Sequence, residues 1–408
     1  MRWDAPGDAH WVEFGIGGLD DKTEESPTSE ALLRLHEGAW VIRAVSLDDD
    51  GRRRTQTSSL VVPEQPELLG RFDVLVSEPE AELRDLLLFF NQYSMEPRFS
   101  WVAVIDGTGR HRWYLPGDPP PFKINRAHVG PDGQPWFTTY HWDREADWGT
   151  LHQVSWDGLH RERWSLPEQH HDFVVEDDSV TWLSWVYRDT PMPGTTSPVA
   201  TDALRSRRLD GDQPSILWSV LDDHPLDLLP PCPHASAPKF KPGFTEFSHG
   251  NSVVSVDDEW WVMLRYLDQI VAVDKQTGAT KWSLGGPEAT LSYDGVPPSH
   301  PHFSDAWADG LLVFDNGDHR PDDTSSAIEY VLDGEVAREV WRFEHPEGTH
   351  TPFLGDVRRL PGGNRLVVWS SSGELMEVTP DGRVVWHAVT PDVVGRVTVL
   401  DPGWQPVF

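Results

Sequence analysis

Hydrophobic and polar positions alternate with the two-residue period of β-strands in short runs along most of the chain, as in Trp101-Val102-Ala103-Val104-Ile105 and Ile270-Val271-Ala272-Val273. Turn signals end these runs at regular intervals. An Asp, a Gly one to four residues later and then a Trp recur six times: Asp106/Gly107/Trp113, Asp157/Gly158/Trp164, Asp210/Gly211/Trp218, Asp274/Gly278/Trp282, Asp333/Gly334/Trp341 and Asp381/Gly382/Trp386. Successive Trp residues stand 51, 54, 64, 59 and 45 positions apart, close to the roughly 40 to 50 residues of one four-stranded propeller blade plus loop insertions. The pattern predicts an all-β chain with a six-bladed β-propeller over residues 79–408. Each Asp-Gly turn would join the two outer strands of a blade, with the Trp packed between neighbouring blades.

The first 78 residues stand outside this repeat. Glu30–Leu35, Ala39–Val45 and Ser58–Val62 alternate in the β manner, which predicts a small N-terminal β-sandwich over residues 1–78. Glu78–Leu83 reads either as a short helix or as the entry to the first blade. The Pro- and Gly-rich stretches Asp189–Pro198 and Pro225–Pro242 read as long loops of the kind that cover one mouth of a propeller channel.

A second register is more informative about chemistry. Asn125, His171, His302 and Gly355 each lie eight positions before a turn residue that precedes a new apolar strand, and His249 lies nine before one. Innermost propeller strands line the central channel, so residues at equivalent points should converge on its axis. Three of these five are histidines.

Charge narrows the range of partners. With 34 Lys and Arg against 66 Asp and Glu, the formal net charge is −32, which argues against nucleic acid or an anionic membrane surface. A core is assured by 21 Trp and 16 Phe. Cys232 is the sole cysteine, so no intrachain disulfide forms. No apolar signal core follows Met1, and no stretch approaches the length needed to span a bilayer, so a cytoplasmic protein is expected.

Four stretches resemble the bacterial arylsulfate sulfotransferase family, the PAPS-independent enzymes that move a sulfuryl group between phenols: His170-His171-Asp172-Phe173; His249-Gly250-Asn251-Ser252 with Leu264-Arg265; Gly278 with Trp282–Gly286; and His302 leading to Phe314-Asp315-Asn316-Gly317. The similarity extends over roughly residues 80 to 400. It implies that His302 is the nucleophile that becomes sulfated, that His249 and Arg265 assist it, and that His171 belongs to the same site. Asn251, His170 and Asn125 are expected to bind substrate. Around the nucleophile the family often shows Gln-His-Asp, whereas here the context is His300-Pro301-His302-Phe303-Ser304. Asp305 or His300 is the expected replacement for the missing orienting group.

The resemblance implies an aryl sulfate donor, a phenolic acceptor and no cofactor. Other readings are a propeller that catalyses a different reaction on an aromatic natural product, or one that only binds a small anion or a protein. No metal is expected: short His-x-x-x-His or acid-rich ligand spacing is missing, and Arg265 opposes a dication. Asp315–Asp318 reads as a turn rather than a calcium loop. Arg265 is open to pairing with Glu246 or Asp268. His234, His319, His345 and His350 read as ordinary surface or hydrogen-bonded histidines.

Overall fold

A computed structural model describes residues 9–16, 22–26, 38–47, 53–62 and 65–401, apart from 119–121, 142–147, 212, 225–231, 236–242, 287 and 322–323. Six sheets, antiparallel apart from the short added strands Thr245–Glu246 and Ser292–Asp294, form the propeller. Blade 1 holds strands Leu87–Ser94, Phe99–Asp106 and His111–Pro116, and takes its innermost strand, Val393–Leu400, from the far end of the chain. Blades 2 to 6 start on inner strands Phe122–Val129, Gln169–Glu176, Gly250–Val256, Pro301–Trp307 and Asp356–Arg359. Each inner strand contacts the next, and Asp356–Arg359 meets Val393–Leu400 to close the ring.

All six repeat Trp residues lie on the fourth strand of their blades, just after the Asp-Gly hairpin, as the periodicity predicts. The reason for the period is local. The indole N–H of Trp113 donates to the carbonyl of Trp156 in blade 2, that of Trp164 to Leu209 in blade 3, that of Trp218 to the Thr280 hydroxyl in blade 4, and that of Trp386 to Gly107 in blade 1. Each indole therefore pins the outer part of one blade to the next. Trp386 is fully buried at the ring-closing seam. Trp386→Phe keeps most of the ring but orphans the Gly107 carbonyl, and should cost about 1–3 kcal/mol, read as a lower urea midpoint at unchanged slope.

Six hydrophobic clusters fill the six seams between blades. Along Leu311-Leu312-Val313-Phe314, the odd residues pack toward blade 4 and the even ones toward blade 6. Both faces of such a strand are buried, so its sequence is a continuous apolar run rather than an alternation.

The described part of the N-terminal region is one four-stranded antiparallel sheet, in the order Lys22–Ser26, Ala9–Ile16, Gly38–Leu47, Arg53–Val62. The expected strand at Glu30–Leu35 lies outside the described residues. The boundary at residue 78 falls too late, because Asp73–Ser77 pairs with Val384–Val389 as the outermost strand of blade 6. Glu82–Arg84 is a single 3₁₀ turn leading into blade 1. Among the described residues no helix is long and apolar enough to cross a membrane.

Irregularities in the inner strands position the channel residues. Pairing with the second strand slips at Asn125, between Gln169 and Phe173, at Asn251, between Pro301 and Ser304, and between Val394 and Val397. Each slip is a β-bulge, which leaves a residue unpaired and re-aims its side chain. The eight-residue register marks these bulges in blades 2, 3 and 5. Blade 6 has Gly355 instead, at φ +104°, where a Cβ would come within 2.1 Å of the Phe314 ring. That position needs glycine for space, not for chemistry.

Candidate active site

Four residues immediately before, or one before, inner strands adopt left-handed backbone: Glu168, His249, His300 and Leu354, at φ between +50° and +58°. His171 does so inside its bulge, at φ +49°. Such a conformation costs a non-glycine residue about 1–2 kcal/mol, and three of these five are histidines at one mouth of the channel. Counted from the left-handed entry residue, Asn251 and His302 are equivalent, and the third member is His170. Counted from the following strand it is His171. The discrepancy arises because the blade 3 bulge holds two extra residues, with Gln169 opposite Ser184 and Phe173 opposite Trp182.

The two histidines do different things. His170 is buried, stacks on Trp185 with ring centres 4.1 Å apart, and places Nε2 3.1 Å from Asp202 Oδ1. His171 meets His249 edge to face at 4.8 Å, and its Nδ1 lies 2.9 Å from that of His170. His249 in turn packs against Tyr266 at 4.7 Å, and its Nδ1 is 2.8 Å from Glu246 Oε1. Glu246 is buried, held on the short strand Thr245–Glu246 that runs parallel to Val199–Arg208. A carboxylate on Nδ1 leaves Nε2 of His249 as the working nitrogen.

His302 is 2 % exposed. Burial, reinforced by the positive charge of Arg265 and then of His249, holds its pKa well below the usual histidine value, so the imidazole is neutral at pH 7. His171 is likewise held neutral by burial, then by His249, His170 and His302. His171, His249, His302 and Arg265 thus occupy one electrostatic neighbourhood although they come from blades 3, 4 and 5.

Several expected partners are replaced. Arg265 pairs with neither Glu246 nor Asp268: its Nη2 donates to Asp318 Oδ2 at 2.7 Å and to the Pro352 carbonyl at 2.9 Å. Asp318 also receives His300 Nδ1 at 2.6 Å and His350 Nε2 at 3.1 Å. Burial would raise its pKa, but His300 and Arg265 pull it down to about 2. Neither proposed orienting group for His302 is used that way, since Asp305 accepts the Arg359 backbone N–H and His300 turns to Asp318. Asn125 and Asn251 spend amide protons on carbonyls of the following blade, those of His171 at 2.7 Å and Pro301 at 2.9 Å. Their amides tie blades together at the site's edge.

Sequence reasoning missed two groups. Beneath the imidazoles, Asp172 accepts Arg126 Nε at 2.7 Å, Arg396 Nη1 and the Val253 N–H at 3.0 Å. Arg396 also donates to the Ser304 carbonyl at 3.0 Å, and Arg358 donates to the same oxygen at 2.9 Å. This floor draws on all six blades. The second group is Cys232, His234, His300 and His319, whose nitrogen and sulfur atoms lie within 4.8 Å of one another. The short Cys-x-His spacing at Cys232-Pro233-His234, inside a loop already expected over the mouth, was the available signal.

No curated protein matches the chain. Among solved structures, it is similar to a protein of unknown function from Bacteroides caccae at 13% identity, covering 77% of this chain and 98% of that one, with a TM-score of 0.45. It is also similar to a streptogramin B lyase at 12% identity, covering 79% and 89%, with a TM-score of 0.40, and to a virginiamycin B lyase from Staphylococcus aureus at 12%, covering 78% and 88%, with a TM-score of 0.36. Likeness at this level carries no argument about chemistry. The family comparison is local and matches residues 219–390, which run from the end of blade 3 through blades 4, 5 and 6. That stretch, which supplies His249, Arg265, His300 and His302, is similar to the arylsulfotransferase (ASST) family.

Proposed function

We propose that the propeller transfers a sulfuryl group from an aryl sulfate to a phenol without PAPS, through a sulfated His302. The observation that carries this reading is a buried, neutral imidazole set beside Arg265 and His249, within the stretch matched to the sulfotransferase family. Attack on sulfur needs an unprotonated nitrogen, and burial supplies that state across the neutral range. In the first half-reaction, His302 nitrogen bonds to sulfur as the S–O bond to the phenol breaks, and His249 gives its proton to the departing oxygen. An acceptor phenol then loses its proton to His249 and attacks sulfur, releasing His302. Arg265 faces negative oxygens with a charge that cannot be lost.

Incubation with a chromogenic aryl sulfate and a phenol, without PAPS, should give ping-pong kinetics. Rapid quenching with donor alone should leave one sulfuryl group on the peptide containing His302. A label on another peptide, or none despite turnover, would remove the covalent route.

One observation favours a second reading, a different reaction on an aromatic substrate. Arg265 already has Nη2 committed to Asp318 and Pro352, which leaves less of the guanidinium fork for sulfuryl oxygens. Tight phenol binding with no release from any aryl sulfate supports that alternative.

A further inference from the structure

We propose that Cys232, His234, His300 and His319 bind one Zn²⁺ in a closed, four-ligand site that fastens the Cys232–Ala235 turn to blade 5 over the channel mouth. The donor geometry comes first. Cys232 Sγ lies 3.3 Å from His300 Nε2, 3.3 Å from His319 Nε2 and 3.9 Å from His234 Nδ1. With Zn–S near 2.3 Å and Zn–N near 2.0–2.1 Å, the sulfur-to-nitrogen edge of a tetrahedron is roughly 3.5 Å. The three sulfur-to-nitrogen distances bracket that value, and all four donor atoms lie within 4.8 Å of one another.

The groups behind the donors agree. His300 Nδ1 is 2.6 Å from Asp318 Oδ2, and His319 Nδ1 is 2.6 Å from Asp268 Oδ2. A carboxylate on Nδ1 fixes the tautomer that carries its proton there and leaves the Nε2 lone pair toward the metal, the usual arrangement behind a zinc-bound histidine. The same tautomers make the cluster hard to explain without a cation. Two Nε2 lone pairs then face one sulfur, and a thiol has a single proton to offer, so only one of the two 3.3 Å contacts can be a hydrogen bond. A dication satisfies both. The backbone N–H of His234 points at Sγ at 3.4 Å, a donor suited to a thiolate.

Backbone and charge also favour the site. His300 and Asp268, a ligand and a carboxylate behind a ligand, are both left-handed at φ +51°, and the Asp268 carboxylate accepts the His300 backbone N–H at 2.7 Å. One strained unit thus presents both histidines. The objection that Arg265 repels a dication weakens here, because Asp318 pairs with Arg265 and a thiolate and Asp268 add two further negative charges. Metal binding displaces the Cys232 thiol proton to solvent and forms one Zn–S and three Zn–N bonds. No redox partner is required. A closed donor set leaves no position for substrate, so the ion's role is to hold the loop. The inference is independent of which reaction His302 performs.

The test uses the full chain, stripped with a chelator and titrated with Co²⁺. One equivalent should bind, with the strong visible absorption of tetrahedral cobalt and a thiolate-to-cobalt charge-transfer band, and Zn²⁺ should displace it. Cys232→Ser should lose the charge-transfer band and at least tenfold in affinity. His319→Ala, an exposed position, should weaken binding with the circular dichroism of the blades unchanged, while His345→Ala, whose imidazole faces Glu374, should bind like the parent. Absence of one-to-one binding, a Cys232→Ser spectrum like the parent's, or unchanged affinity in His319→Ala would overturn the site.

Discussion

His302→Ala should lower kcat/KM for transfer from a chromogenic aryl sulfate by roughly 10⁴-fold or more, the loss typical when a covalent nucleophile is removed, with the strand circular dichroism retained. His249→Ala should cost about 10²- to 10⁴-fold, the contribution of a positioned acid and base. The two should not add, since both act on one sulfuryl transfer. The pH profile separates their roles. The pKa of His302 is held well below 6.5 by burial and by Arg265, so the nucleophile stays neutral, and therefore competent, as pH falls through 6.5. No acid limb near the ordinary histidine value should come from it. If one appears in the parent it belongs to another group. A His302→Ala variant that is folded and within tenfold of parent activity would end the covalent mechanism.

The blade count was readable because the residues that set it act locally. Trp113, Trp164, Trp218 and Trp386 each need only a carbonyl or hydroxyl one blade on, so Asp, Gly and Trp keep a fixed order along the chain. The imidazole layer was readable for a related reason: a bulge sits at a nearly constant distance from the strand that follows it. The constancy fails in blade 3, where the bulge holds two extra residues instead of one, and there counting alone cannot choose between His170 and His171.

Long-range features left no periodic trace. Asp73–Ser77 pairs with a strand more than 300 residues away. Asp318 was read as part of a turn, yet it joins Arg265, His300 and His350, residues that meet only where blades 4, 5 and 6 pack side by side. His319 looked ordinary for the same reason, because its neighbour Cys232 lies on a different loop, and without His300 and His319 beside it the Cys232-x-His234 pair looked ordinary too. Arg126 and Arg396 each sit next to a bulge residue, but a charge beside an apolar strand carries no sign of whether it points to solvent or to the axis.

That axial charge cluster should make Asp172 the most costly position in the propeller to neutralise. Its carboxylate is fully buried and faces two guanidiniums that are themselves 4 % and 5 % exposed. Removing one member of such a pair leaves a buried charge uncompensated, at about 3–5 kcal/mol, and Asp172→Ala leaves two, so stability should fall by at least that much. The pH dependence has a definite sign. Burial alone would raise the Asp172 pKa, but Arg396 and Arg126, with the Val253 N–H, bring it below the ordinary value. An acid whose folded pKa is depressed stabilises fully above its unfolded pKa of about 3.9, and that contribution is lost as pH falls through the lower folded value. Asp172→Asn should therefore flatten the acid limb of stability against pH while lowering stability at pH 7. Replacing Arg126, Asp172 and Arg396 together with Met, Leu and Met should recover most of the loss, because an apolar triad removes the charges and their desolvation at once. Urea unfolding of the three variants decides the matter. If Asp172→Ala unfolds at the parent's midpoint, or if the triple variant is no more stable than the single one, the cluster is not held by the balance of charge described here.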